Sequence, residues 1–333
     1  RSTLRRLFDH ISEGRLEWAR ITENAYDRIT IAGESYDYVS GLEPFRQQML
    51  EYFPNEDRAI EQYLQLVFEV ERSSRSFFMN KALPPLFSAM THPFMSRRFQ
   101  GLADRTTREV ISKLSDNKRL LGVLTGQWGD YGLPPGQSSF AIHAMIVRHY
   151  LDGANYPVGG ASSIARSIEP TITAQGGDIL TSAEVEKVLV HKDRAVGVRL
   201  TDGVEIEATD VISGIGIFNT VEKLLETHDA ERMGYCDKMK NVERSPSHIC
   251  LYIGLRESAQ SLGLRQTNLW IYPGYDHDAN LRRYKNDPDA DLPLTYISFP
   301  SSKDPDWERR YPGRSTIEVI SFSPWEWFSK WKD

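Results

Sequence analysis

Apolar and polar positions repeat with two different periods along this chain, and the change of period divides it. Over the first 150 residues the spacing is mostly helical. "LFDHISEGRLEWARI" fits a short helix, and "YDRITIAGESYDYVS" alternates as a hairpin turning at Ala32 and Gly33. "GLEPFRQQMLEYFP" predicts a helix with Pro44 in its first turn and Pro54 as its stop. In "NEDRAIEQYLQLVFEVERSSRSFFMNKAL" Asn55 is the expected N-cap, followed by a helical stripe of Ile60, Tyr63, Leu64, Val67 and Phe68. Pro84-Pro85 and Pro134-Pro135-Gly136 break the helical region.

After Gly153 the period shortens to that of strands. Three extended runs are expected: Asp178 to Leu180 leading through Val185 to Val190, Ala195 to Leu200, and Val204 to Ile212. "KDR" and the turn signal Asp202-Gly203 separate them. Residues 246–322 add "SHICLYIGL", "TNLWIYP", "PLTYISFP" and "STIEVISF", with "DHDANLRRYKNDPDADLP" as a polar linker. The order is helices, a β-rich segment, then a separate sheet.

Composition narrows the classes. With 333 residues, 40% hydrophobic and 26% charged, the chain has the make-up of a globular protein of about two domains. A net charge of −6 speaks against nucleic-acid binding, which needs concentrated Lys and Arg. Cys236 and Cys250 stand alone, so neither a disulfide framework nor a thiolate metal site is predicted, and no metal is expected. No run of 18 apolar residues occurs and no secretory leader precedes the fold, so the expected location is intracellular, cytoplasmic or peripherally membrane-associated. The chain begins at Arg1 rather than Met, and an interior fragment of a longer protein is expected.

"NYPVGGASSIARSI" is the first candidate for chemistry. Gly159 and Gly160 open a helical pattern, so either they let the backbone approach a flat or phosphate-bearing cofactor, or they only shape the turn into the helix. "ATDVISGIGIFNT" gives half of a dinucleotide fingerprint: Gly214-x-Gly216 follows a strand, but Asn219 stands where a third glycine belongs and no acidic residue ends a next strand. A plain strand end with a glycine turn fits it equally. His143 and His149 fall on different helix faces, so they do not share a metal, and packed or surface roles suit both. His143 stays a candidate because Phe140, Met145 and Ile146 could depress its pKa. The stretch from Phe77 to Phe99 mixes Phe and Met with Lys81, Arg97 and Arg98, as an interfacial helix pair, a tunnel wall or an ordinary core pair would. In "SPWEWFSKWKD", Trp327 and Trp331 stand one helical turn apart. No G-x-S-x-G elbow and no P-loop appear.

Five stretches, "LFDHISEGRLEWA", "VSGLEPFRQQMLEYFPNEDRAIEQYLQLV", "SSFAIHAMIVRHYLDGANYPVGGASSIARSI", "VISGIGIFNT" and "FPSSKDPDWERRYPGRST…PWEWF", resemble the retinol saturases within the flavin-dependent phytoene desaturase and carotenoid isomerase superfamily. The resemblance implies an α/β (α+β) chain: an FAD/NAD(P)-binding fold of the glutathione-reductase type interleaved with a mixed-sheet substrate domain. Residues 1–150 would be a mainly helical substrate or lid domain, 151–225 the returning part of the FAD-binding domain, and 226–333 the substrate-domain sheet and the start of a following helix. The family's N-terminal Rossmann strand and its C-terminal flavin-covering segment are not visible in this sequence. FAD is the implied cofactor, NAD(P)H a candidate electron source, and an apolar isoprenoid polyene the implied substrate, reached through peripheral membrane contact. By the same resemblance Pro157, Gly159 and Gly160 would border the flavin ring, Val185 the adenine, and Ser213-Gly214 the pyrophosphate. His143 or Tyr156 would be the general acid of a saturation. Desaturation, redox-neutral isomerisation and a non-enzymatic lipid-binding scaffold are the alternatives.

Overall fold

The computed structural model describes residues 3–22, 24–242 and 246–331. In chain order, α1 (Thr3–Ile11) leads to β1 (Trp18–Arg20) and the hairpin β2 (Ala25–Ile31) and β3 (Glu34–Val39). Helices α2 (Leu42–Tyr52), α3 (Asp57–Lys81), α4 (Pro85–Met95), α5 (Arg97–Ala103), α6 (Thr107–Ile111), α7 (Lys118–Leu124) and α8 (Phe140–Tyr150) follow. Then come β4 (Asn155–Pro157), α9 (Ser162–Ala174) and the meander β5 (Val185–His191), β6 (Arg194–Leu200) and β7 (Glu205–Glu207). The last strands are β8 (His248–Leu255), β9 (Asn268–Tyr272), β10 (Thr295–Ser298) and β11 (Ser315–Phe322).

By its contacts the chain divides into two units, Arg1–Ile168 with Pro246–Asp333, and Glu169–Ser245. In the larger unit, a six-stranded sheet runs β3-β2-β9-β10-β11-β8. The β2–β3 hairpin turns where the alternation predicts: Ala32 (φ 50°) and Gly33 (φ 86°) both lie in the left-handed region that a two-residue turn of this hand demands. β2 pairs in parallel with β9, Asp27 opposite Asn268 through Ile31 opposite Tyr272, whereas the other neighbours are antiparallel. Strands from both ends of the sequence therefore share one core. Tyr38, Phe45, Tyr63, Trp128, Phe140, Trp270 and Phe322 belong to it, and Trp128 stacks on Phe322 with ring centroids 4.8 Å apart. The stripe expected on α3 is buried at Ile60, Tyr63, Leu64 and Val67, with Phe68 half-buried at its edge.

In the smaller unit β5, β6 and β7 form an antiparallel three-stranded sheet with Val188, Leu200, Val221 and Ala230 buried. Lys192 and Asp193, both at positive φ, make the β5–β6 turn.

Four local expectations need correction. The stretch read as a polar linker holds a helix, His277–Asn286, capped by Asp276, whose carboxylate accepts from Ala279 N at 3.0 Å. Its buried face mixes Leu281 and Tyr284 with Asp278 and Asn280, so a count of apolar residues missed it. The strand expected over Val204 to Ile212 shrinks to β7, because backbone bonds to β6 stop at Ala208 and Ile212 is fully exposed. α3 starts at Asp57 with Glu56 before it, so Asn55 is not the cap. The end of the chain forms two short 3₁₀ turns, Trp325–Trp327 and Ser329–Trp331, rather than an α-helix.

Asp278 joins the His277–Asn286 helix to the Pro134-Pro135-Gly136 loop. Its buried carboxylate accepts from Gly136 N at 2.9 and 3.0 Å and from Arg108 at 2.5 Å. Asp278→Ala orphans the Gly136 donor and leaves Arg108 with Asp276 alone, so it should cost about 1–3 kcal/mol. The urea midpoint of the variant against Asp278→Asn checks this, and the Asn variant, which keeps an acceptor, should lose less.

Candidate functional site

The double glycine lies at the end of a short ribbon. β4 pairs with β1, Tyr156 opposite Ala19 and Pro157 opposite Trp18, and Val158 N donates to Glu17 O at 3.0 Å. A strand thus does precede the turn, too short to register as an apolar run. Gly160 N then donates to Pro157 O at 3.0 Å, with Gly159 at φ 88° and Gly160 at φ 83°. An L side chain at either position would cost about 1–2 kcal/mol, so the turn alone accounts for both glycines. A Cβ added at Gly160 would meet only the Arg310 guanidinium, at 3.9 Å, and one at Gly159 only Ser163, at 3.5 Å. Each Cβ would thus stand at ordinary van der Waals distance from one side chain, so the turn is lightly covered, and a flat group could lie against it beside those neighbours.

A carboxylate from far along the chain holds this turn. Asp304 Oδ1 accepts from Gly159 N and from Asp306 N, each at 3.0 Å, while Oδ2 accepts from Arg310. The Asp304 side chain is completely buried. Arg310 lies 5.8 Å from the Trp307 ring centroid and 5.1 Å from that of Tyr311. Its Nε approaches Asp306 Oδ2 at 3.3 Å in ion-pair but not hydrogen-bond geometry, so this donor is buried and unsatisfied. The indole N–H of Trp18, opposite Pro157, is unsatisfied too. Buried orphan donors are uncommon. Two of them near a lightly covered turn suit a flat partner that carries acceptor atoms.

Lys303, next to Asp304, bonds in the other direction, into the sheet. It donates to Ser298 Oγ at 2.7 Å and to Asn268 Oδ1, and Asn268 Nδ2 donates to Asp27 at 2.7 Å. Gln127 completes the Asp27 shell at 2.6 Å. Burial pushes the Asp27 carboxyl up and pulls the Lys303 ammonium down to about 8, while Asp27 and Glu318 oppose that fall. One dipeptide therefore ties the glycine turn to the centre of the sheet.

Tyr156, Pro157, Gly159 and Gly160 sit together on this turn. Burial, then the charges of Asp304 and Glu318, raise the Tyr156 pKa, so its phenol holds its proton. His143 lies elsewhere, inside the helical core. Tyr63 OH meets its Nε2 at 2.8 Å and Tyr131 OH its Nδ1 at 3.0 Å, and burial lowers its pKa to about 3. It is a neutral ring with both nitrogens engaged. Val185, Ser213 and Gly214 belong to the smaller unit. Val185 opens β5 opposite Leu200, Ser213 Oγ lies 2.6 Å from Thr220 Oγ1, and Gly214 is in an exposed loop. Among the described residues no group of three His, Cys, Asp or Glu could hold a metal ion, and no helix is long and apolar enough to cross a membrane. The residues that motif reading missed are Asp27, Lys303, Asp304 and Arg310. Their one signal is a Lys-Asp-Pro run between two apolar strands.

The profile of the flavin containing amine oxidoreductase family matches residues 26–306. Among curated relatives, all-trans-retinol 13,14-reductase of Danio rerio is 35% identical over 347 residues, covering 99% of this chain and 57% of that protein. Prolycopene isomerase 2 of an Oncidium hybrid cultivar is 24% identical over 222 residues, covering 64% of this chain and 37% of that protein. The chain thus spans little more than half the length of the reductase it matches. A solved structure of putrescine oxidase bound to putrescine shares the fold, with TM-score 0.55, 12% identity, and coverage of 99% of this chain and 64% of that one.

The Lys303 network sets a pH dependence. A folded-state pKa of about 8 lies below the unfolded lysine value of about 10.4, so between them the unfolded chain binds more protons and stability rises with pH. Below about pH 8 the cost of the buried ammonium is fully present. Urea midpoints should rise between about pH 8 and pH 10 relative to those of Lys303→Met. Parallel curves for the two proteins would remove Lys303 as the cause.

Proposed function

The chain belongs to the flavin containing amine oxidoreductase family, and from that membership we propose that it is part of an FAD-dependent oxidoreductase acting on carbon–carbon double bonds of an apolar isoprenoid polyene, a retinoid or carotenoid. The observation that carries the proposal is the lightly covered Tyr156–Gly160 turn, clasped by Asp304 and flanked by the unsatisfied donors of Trp18 and Arg310. The acceptor-rich edge of a flavin ring matches such donors. The substrate class rests on the reductase relative, whose likeness covers nearly the whole chain. The fold would be of the glutathione-reductase type interleaved with a substrate domain. Pro157, Gly159 and Gly160 would hold the ring end of the cofactor.

Bound flavin supplies hydride exchange with a double bond, with NAD(P)H as the electron source. The protein's part is to keep the slot dry and to hold a proton. Tyr156 is the residue for that proton, because its raised pKa keeps the phenol protonated beside the turn. His143 is assigned the packing role that its two tyrosine partners define. A saturation adds hydride to one carbon and a proton to the next. The isomerase relative supports a second reading, in which the same parts change double-bond geometry with no net addition of hydrogen. The polyene would arrive from lipid, which places the protein peripherally on a membrane.

The full-length protein should show a bound-flavin absorption spectrum. With a polyene substrate and reductant it should yield a product heavier by the two added hydrogens, whereas a product of unchanged mass selects the isomerase reading. Tyr156→Phe should keep the flavin spectrum and slow saturation by about 10²-fold. An unchanged rate excludes Tyr156 as the proton donor.

A further inference from the structure

Helix α4 is built inside out. Leu86, Phe87, Met90 and Phe94 share one face and are exposed by 71%, 60%, 67% and 89%, and no residue of α4 is buried. Its polar side turns inward instead. Asn80, wholly buried at the end of α3, donates to Ser88 O at 3.0 Å and to Thr91 Oγ1 at 2.8 Å, and accepts from Ser88 Oγ at 3.2 Å and Ser96 Oγ at 3.3 Å. The elbow also has an apolar contact of its own, Phe77 stacked on the buried Phe99 at 4.5 Å, so the outer residues are not needed to hold it. Phe78 and Met79 extend the exposed apolar surface onto α3.

The segment that carries this face has charges of one sign, with Glu69 and Glu71 of the preceding α3 turns pairing with Arg98 and Arg75. From Arg72 to Ala103 the chain carries no Asp or Glu but has Arg72, Arg75, Lys81, Arg97 and Arg98, in a protein of net charge −6. Beside Phe94 a cleft of about 600 Å³ takes in Leu66, Arg97, Arg98 and Arg105, with Glu69 holding Arg98 at 2.7 Å. An apolar ridge of 11 residues is too short to span a bilayer and suits insertion at its surface.

We infer that the α3–α4–α5 elbow docks on an anionic phospholipid membrane, with Leu86, Phe87, Met90 and Phe94 in the acyl boundary and Lys81, Arg97 and Arg98 among the phosphates. A second copy is the poorer occupant, since two-fold pairing would set the same cations against each other. The inference stands on this surface and not on the cofactor reading, which tests separately through flavin absorbance.

The test is flotation of the full-length protein with phosphatidylcholine vesicles, plain or containing about one-third phosphatidylserine. Binding should favour the anionic vesicles and weaken with salt. Lys81→Gln and Arg97→Gln should each cost about fivefold, the equivalent of roughly 1 kcal/mol per surface cation. Phe87→Ser with Phe94→Ser should lower binding to both vesicle types while leaving the thermal melt unchanged, because both side chains are exposed. If that double variant misfolds, quenching of Phe94→Trp by lipid-borne quenchers, read over the wild-type background, gives the depth directly. Wild-type protein that floats with neither vesicle overturns the inference. So does a double variant that turns a dimer into a monomer with vesicle binding intact.

Discussion

The parallel pairing of β2 with β9 is the constraint on which the larger unit depends. It sets Asp27 opposite Asn268, and from that register follow the buried Asp27–Asn268–Lys303 chain and the position of the segment that carries Asp304. A parallel pair needs a long crossover, and here it is supplied by the helical region and the whole smaller unit. The glycine turn, the helical core and the C-terminal strands are neighbours because one strand from each end of the sequence shares a ladder.

Charges buried at this junction are costly unless fully partnered. Asp27 and Lys303 are joined through the amide of Asn268 rather than directly, an arrangement that satisfies both and fixes the orientation of the amide. The buried Asp304 and the half-buried Arg310 form a second pair, whose carboxylate secures the turn at Gly159 N, while Ser163 Oγ donates to Gly160 O at 2.7 Å. The two pairs divide the work: one keeps the sheet in register, and the other hangs the backbone edge of the candidate cofactor site from that sheet.

Local structure was the legible part of the sequence. The Ala32-Gly33 turn, the α3 stripe and the four late strands follow from period and turn chemistry, which act over a few residues. The His277–Asn286 helix was hidden because its buried face is half polar, satisfied by groups 140 and more residues away such as Gly136 and Gly122. The same limit applied to the site. The glycines announced a turn, but nothing local says that Asp304 will hold it or that Tyr63 and Tyr131 will enclose His143, since those partners meet only through tertiary packing. The "FPSSKDPDWERRYPG" block stood out by resemblance alone, and its physical meaning came from the buried pairs it contributes.

The register that organises the larger unit also sets a schedule for making it. β2 and its partner β9 are separated by about 240 residues, so at roughly 5–20 residues per second the ribosome needs about 10–50 s to deliver one after the other. Throughout that interval the β2–β3 hairpin presents an unpaired inner edge with Ile29 and Ile31, both destined for full burial, on one of its faces. The early helices can condense while the hairpin waits, but the sheet closes only late in synthesis. The inner edge of the hairpin is thus an open pairing surface for as long as β9 is missing from the growing chain.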